Sequence, residues 1–177
     1  MDLTPERRQE IARKAGELLA RYRGYTSTFE RLLKIAQDAG IETLEADSFD
    51  ISGTLRKQDG TWRISINRQD SPTRQLFTLA HELAHYFLHA NGQTEFVDGE
   101  FVMNRDEDTK FNTEELEANE FAANLVMPEE QIREKLIEQP ITEQKVLELA
   151  DELHVSPLAM VIRLQRLGYA TPIPTNA

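Results

Sequence analysis

An α+β fold is predicted for this chain by three observations. Two runs that alternate apolar and polar residues flank Gln58-Asp59-Gly60, and Asp-Gly between two such runs is a hairpin signal. Before and after that hairpin, apolar residues recur at three- and four-residue spacing, in segments bounded by Ser, Thr, Pro or Gly, as amphipathic helices require. Beyond residue 112 every periodic segment is helical. The expected architecture is a small antiparallel sheet including residues 50–67, flanked by a helix bearing histidines and a helix bearing glutamates, with a helical C-terminal part.

Thr4-Pro5-Glu6 opens the first helix, and Ile11, Ala15, Leu18, Leu19 and Tyr22 carry it to about Gly24. A second helix fits 27–39, with Phe29, Leu32, Leu33 and Ala36 on one side and Gly40 as its stop. Residues 41–46 predict a short strand, and 50–56 and 61–67 predict the hairpin. The next helix starts at Ser71-Pro72, where serine suits the N-cap and proline the first turn. Leu76, Ala80, Leu83 and Phe87 form its core stripe, and His81, His85 and His89 lie on the other side. Residues 91–112 are polar and acidic, a loop with a short strand at 95–102. A helix over 113–126 halts before Met127-Pro128. Three short helices follow at 129–138, 142–153 and 156–167, the last closed by Gly168. These elements divide the chain into a core with its N-terminal helix (1–127), a helical C-terminal subdomain (128–170) and a flexible tail (171–177).

Composition narrows the chemistry. The 177 residues contain no cysteine, so disulfides and thiolate metal sites are excluded and any bound metal must use histidine and carboxylate. The first residues, MDLTPERRQE, lack the apolar stretch of a signal peptide, and no apolar run approaches a membrane span, so a cytoplasmic location is expected. The net charge of −11 is uneven: residues 1–24 hold six bases and four acids, whereas 95–120 hold ten acids and two bases. The acidic stretch reads as a solvated loop or as a rim that attracts a basic partner. Such a balance is poorly suited to binding a phosphate backbone.

Residues 81–85 read His-Glu-Leu-Ala-His. One helical turn apart, His81 and His85 can ligate one metal ion, while Glu82 is placed to act as general base on a metal-activated water. A catalytic zinc site usually takes a third protein ligand. A third histidine ten residues after His81 would fall at 91, but Asn91 stands there and Leu88 replaces the glycine that would turn the chain. His89 lies two turns from His81, roughly 12 Å along the axis, too far for one ion to bridge all three; a surface role or support of a ligand suits it better. His154, beside Ser156-Pro157, reads as a surface residue. The carboxylates of helix 113–126 are the better candidates. Ala118, Ala122, Leu125 and Val126 define its buried stripe, Glu115 and Asn119 fall on the edge of that stripe, and Glu117 and Glu120 point to the polar side. A carboxylate on an apolar face is costly unless a cation pairs with it, which favours Glu115 as ligand over a capping role behind Asn112. Asn119 is placed to hydrogen-bond a ligand.

The combination of His81-Glu-Leu-Ala-His85 with Glu115-Leu-Glu-Ala-Asn119-Glu-Phe-Ala-Ala-Asn-Leu-Val-Met-Pro128 resembles the ImmA/IrrE-type metallopeptidases. The resemblance extends weakly over 25–170, and residues 1–24 stand outside it as an addition. It implies a catalytic core similar to that of thermolysin-type gluzincins, with His81, His85 and Glu115 as metal ligands and Glu82 as general base. It also implies a substrate class, since many members cleave a helix-turn-helix repressor encoded beside them and so switch on stress or mobile-element genes.

The leading expectation is therefore a zinc endopeptidase that hydrolyses a peptide bond in a regulatory protein; two histidines and one carboxylate favour zinc, with manganese as the other candidate. Two further readings stay open. One is a metal-binding sensor without turnover, which would leave Glu82 without a purpose. The other is a DNA-binding regulator built on 142–167, whose recognition helix would carry only Arg163 and Arg166.

Overall fold

The computed structural model describes residues 2–47, 51–90, 95–97 (backbone), 113–137 and 140–172. Thr4 caps the first helix, α1 (Pro5–Arg21), by accepting from the Arg7 amide, and buries Ile11, Ala15 and Leu18. Ser27 caps α2 (Thr28–Asp38) in the same way, and Gly40, at φ 74°, turns the chain into β1 (Ile41–Ala46). β2 (Gly53–Gln58) and β3 (Thr61–Asn67) form the predicted hairpin. Its two turn residues, Asp59 and Gly60, both have positive φ, 51° and 84°, as a type I′ turn demands. The histidine-bearing helix α3 (Pro72–His89) begins at Ser71, whose hydroxyl accepts from the Arg74 amide. Three-residue β4 (Glu95–Val97) pairs with β2, and α4 (Thr113–Val126), α5 (Glu129–Lys135), α6 (Glu143–Glu152) and α7 (Pro157–Arg166) complete the described chain.

The α+β class is as expected, but the sheet is mixed rather than antiparallel. Its order is β1-β3-β2-β4, and β1 runs parallel to β3, with Ile41 opposite Trp62 and Ala46 opposite Asn67. Since β2 runs opposite to β1 and β3 folds back antiparallel to β2, a β1 that docks on the β3 side is necessarily parallel to it. Alternation within each strand carries no information on which edge of the hairpin receives β1. The sheet lays Leu55 and Ile64 into the core against α3. At one end of this contact Trp62 meets the ring of Tyr86 edge-on at 5.9 Å, while the Tyr86 hydroxyl donates to the Ala39 carbonyl at 3.3 Å.

α3 is not the two-faced helix that its sequence predicts. Every residue from Thr78 to His85 is buried, because the sheet covers one side and α4 the other. Phe87, expected in the core stripe, is 36% exposed and stacks on Phe121 instead. Glu117 and Glu120, expected on a polar face of α4, are buried as well. The face they occupy is covered by α1 and reached by arginines of α7, and their charges are met there. Arg7 grips Glu117 with Nε and Nη2 at 2.7 and 2.6 Å. Glu120 accepts from Arg8 at 2.8 Å and Arg166 at 3.1 Å, with Arg163 Nη1 at 3.6 Å. Residues 1–24, read as an addition, are thus joined to α4 by two ion pairs and by the buried face of α1. The acidic stretch 98–112, the possible cap Asn112 and residues 173–177 of the expected tail lie outside the described residues, as do 91–94.

Arg163 is the most deeply committed cation of this face: Nε donates to the Met127 carbonyl at 3.0 Å and Nη2 to Asn124 Oδ1 at 2.8 Å. Replacing one member of a buried charged network costs more than the network contributes net, because its partners stay behind unpaired. Arg163→Met is expected to lower the unfolding free energy by about 3 kcal/mol in urea titrations. Arg13→Ala, which breaks the exposed Arg13–Glu17 pair, is expected to cost less than about 0.5 kcal/mol.

Candidate metal centre

The helical spacing of His81 and His85 puts their imidazoles on one side of α3, where α4 closes over them. Their Nε2 atoms are 3.0 Å apart. Glu115, in the first turn of α4, reaches both: Oε2 lies 3.2 Å from His81 Nε2 and Oε1 lies 3.3 Å from His85 Nε2. These three residues form the one cluster among the described residues whose His and carboxylate atoms converge closely enough to hold a metal ion. Tetrahedral zinc with ligand bonds near 2.0–2.2 Å would space its donor atoms about 3.3–3.6 Å apart, close to the separations found here. The donor set, two imidazoles and one carboxylate in a largely buried setting, suits zinc chemically.

The charges are consistent with a site built around Glu115 as an anion. Burial by itself would raise the Glu115 pKa, but hydrogen bonds with His81 and His85 outweigh it and hold the carboxyl well below its usual range. Glu82 is fully buried. Its carboxylate lies against the first residue of β2: a Cβ on Gly53 would sit 2.9 Å from Glu82 Oε1 and 2.3 Å from Thr78 Cγ2. Only a glycine lets α3 approach the strand this closely. Ser52, the preceding residue, accepts from Arg74 Nε at 2.6 Å and its carbonyl accepts from the Asn67 amide at 2.8 Å, which pins the strand over the helix.

Of the residues singled out in the sequence, His81, His85 and Glu115 are brought together, and Glu82 is buried beside them in sequence. The Oδ1 of Asn119 is buried and accepts no hydrogen bond among the described residues. His154 is exposed, in the left-handed conformation (φ 54°), between α6 and α7. His89 is not a surface residue. Its Nδ1 lies 3.3 Å from His85 Nδ1 and its Nε2 lies 3.0 Å from Glu117 Oε2. Burial pushes the His89 pKa down, although Glu117 opposes the shift. Glu117 itself is lowered to about 2, first by the hydrogen bonds from Arg7, against burial, and further by His89. The glycine at the head of β2 was the one sequence signal available for close backbone approach. Nothing in the local sequence pairs Arg7 with Glu117, 110 positions away.

A buried helix with two histidines one turn apart, faced by a glutamate from a second helix, presents a candidate HExxH-type metal centre on an α+β scaffold. The chain belongs to the peptidase M78 family: residues 36–165 match its IrrE N-terminal-like domain. No curated protein matches the chain. Among solved structures it is similar to a Mycobacterium tuberculosis transcriptional regulator, with a TM-score of 0.58 and 16% identity over 92% of this chain and 47% of that one. The chain thus spans about half the length of that protein, and the likeness extends to the fold. Among the described residues, no helix is long and apolar enough to cross a membrane.

Two outcomes are expected from this geometry. Gly53→Ala should cost about 1–3 kcal/mol of stability through overpacking. Adding Thr78→Ser, which deletes the obstructing Cγ2 methyl, should restore part of that loss in the same urea titration. The second concerns pH. A carboxylate whose pKa falls from 4.5 unfolded to about 2 folded contributes stability that is complete above the unfolded value and lost as pH falls through the folded one. The stability advantage of the wild type over Arg7→Met, measured in chelator, should therefore narrow as pH is lowered from about 5 to about 2.

Proposed function

We propose that this protein is a metal-dependent endopeptidase that hydrolyses a peptide bond in a regulatory protein, with a helix-turn-helix transcriptional repressor as the substrate class. The observation that carries the reading is the convergence of His81, His85 and Glu115 at 3.0–3.3 Å in a chain of the peptidase M78 family. These three side chains hold the ion, with zinc preferred over manganese for its fit to two imidazoles and one carboxylate. When bound, such an ion supplies Lewis-acid activation of water and of the scissile carbonyl.

The residues of the chain do the rest. Glu82 accepts the proton of the attacking water at its carboxylate and delivers it to the departing amine. Its burial against Gly53 holds that carboxylate in one place and keeps bulk water from it. Glu115 stays ionised, and the buried face between α3 and α4 keeps both imidazoles aimed at one point. Direct DNA recognition by the 142–167 segment is disfavoured, because both arginines of α7 are engaged within the molecule. Arg163 is buried on Asn124 and Met127, and Arg166 is spent on Glu120. The substrate class rests on the family resemblance together with the acidic balance of the chain, which suits a basic partner.

The test combines metal analysis with cleavage of a helix-turn-helix repressor encoded beside the protein. The wild type is expected to hold one zinc or manganese ion and to cut the repressor. His81→Ala and Glu115→Ala should lose the ion. Glu82→Gln should keep it and lose cleavage by a factor of about 10²–10⁴. Persistent cleavage by Glu82→Gln would remove Glu82 as the base, and an unchanged metal content in His81→Ala would remove the site altogether.

A further inference from the structure

We propose that His89, Glu117 and Arg7 form a buried relay that positions His85 for the metal, so that α1, which precedes the part of the chain matched by the family, belongs to the support of the centre. The inference rests on the metallopeptidase reading above. Its geometry is a continuous chain of contacts. Arg7 Nε and Nη2 meet the two oxygens of Glu117 at 2.7 and 2.6 Å, Glu117 Oε2 meets His89 Nε2 at 3.0 Å, and His89 Nδ1 meets His85 Nδ1 at 3.3 Å. The His89 and Glu117 side chains are only 7% and 11% exposed, and that of Arg7 is 30% exposed.

Proton direction along this chain follows from its far end. A guanidinium can only donate, and the carboxylate of Glu117 can only accept. His89 must therefore donate at Nε2, and in its neutral form it then accepts at Nδ1. The partner of that Nδ1, His85, then donates at its own Nδ1. This leaves the lone pair of His85 at Nε2, the atom that lies beside His81 Nε2 and Glu115. Metal-binding histidines generally need an outer partner that fixes tautomer and ring orientation, commonly a carboxylate or a carbonyl. Here the carboxylate stands one imidazole further out, and an arginine from α1 holds it. His89 is thus a positioning residue. It touches neither the converging donor atoms nor the bond to be cut, and acts through His85.

The experiment measures zinc affinity of the full chain by competition with a chromogenic chelator, and records the visible spectrum of the cobalt(II)-substituted protein. Unfolding of each metal-free variant is followed in parallel. His89→Phe, which keeps the bulk and removes both hydrogen bonds, is expected to bind zinc about 10–100-fold more weakly and to shift the cobalt bands. Arg7→Met should weaken binding in the same direction. His89→Gln, whose amide can accept from His85 and donate to Glu117, should recover part of the affinity. Arg13→Ala, on the exposed side of α1, should bind as the wild type does. A folded His89→Phe protein with wild-type zinc affinity and cobalt spectrum would overturn the proposal. If His89→Phe does not fold, Arg7→Met decides: a folded Arg7→Met protein with wild-type zinc affinity and cobalt spectrum would overturn the proposal. The underlying metal site fails separately, by a wild type that binds no zinc or by His81→Ala that binds it unchanged.

Discussion

Polar groups buried along the middle of α3 impose the strictest demand in this molecule. His81, Glu82 and His85 on α3 are all but inaccessible, and each would destabilise the fold if its polar atoms were left uncompensated. The fold answers by facing the two histidines with Glu115 of α4 and by closing the sheet over the other side of α3, where Glu82 lies against Gly53. The close approach at Gly53 and the surrounding aliphatic core follow from the same need, since polar atoms stay mutually aligned only if the elements that carry them cannot slide. The outcome is a helix buried on all sides along its middle, with the converging histidines set in that buried stretch.

α4 distributes this demand. Three of its glutamates serve three different neighbours: Glu115 meets the histidines of α3, Glu117 meets Arg7 of α1 and His89 of α3, and Glu120 meets Arg8, Arg163 and Arg166 from α1 and α7. A carboxylate every two or three residues lets one helix address neighbours on several sides, because each step turns the side chain by about 100°. The N-terminal and C-terminal helices are thereby fastened to the element that carries Glu115, and Glu120 is the point at which both meet.

Much of this was readable in the sequence, and what was not has a common cause. The helix starts at Thr4 and Ser71, the Asp59-Gly60 turn and the helical phase of Glu115 are local features, and the structure places each helix and both hairpin strands within a few residues of their expected bounds. His81, His85 and Glu115 were legible together because each has a helical phase of its own and the chemistry of a metal requires their convergence. The parallel pairing of β1 with β3, the burial of Glu117 and Glu120, and the place of His89 depend on partners far away in the chain. Arg7 meets Glu117 across 110 positions and Arg163 meets Asn124 across 39, and no periodicity encodes such meetings. A glutamate on a polar helical face looks the same in sequence whether water or an arginine faces it.

The contact between Trp62 and Tyr86 gives the fold an optical handle. Trp62 is the only tryptophan of the chain. It sits on β3 with its ring against Tyr86 of the histidine-bearing helix and with the Lys57 ammonium 5.8 Å from the ring centroid. Tyr86 follows His85 directly, so the emitting indole is joined to the histidine helix through a single aromatic neighbour. Intrinsic fluorescence excited at the indole is therefore a label-free reporter of how the sheet is seated on that helix, free of background from any second indole.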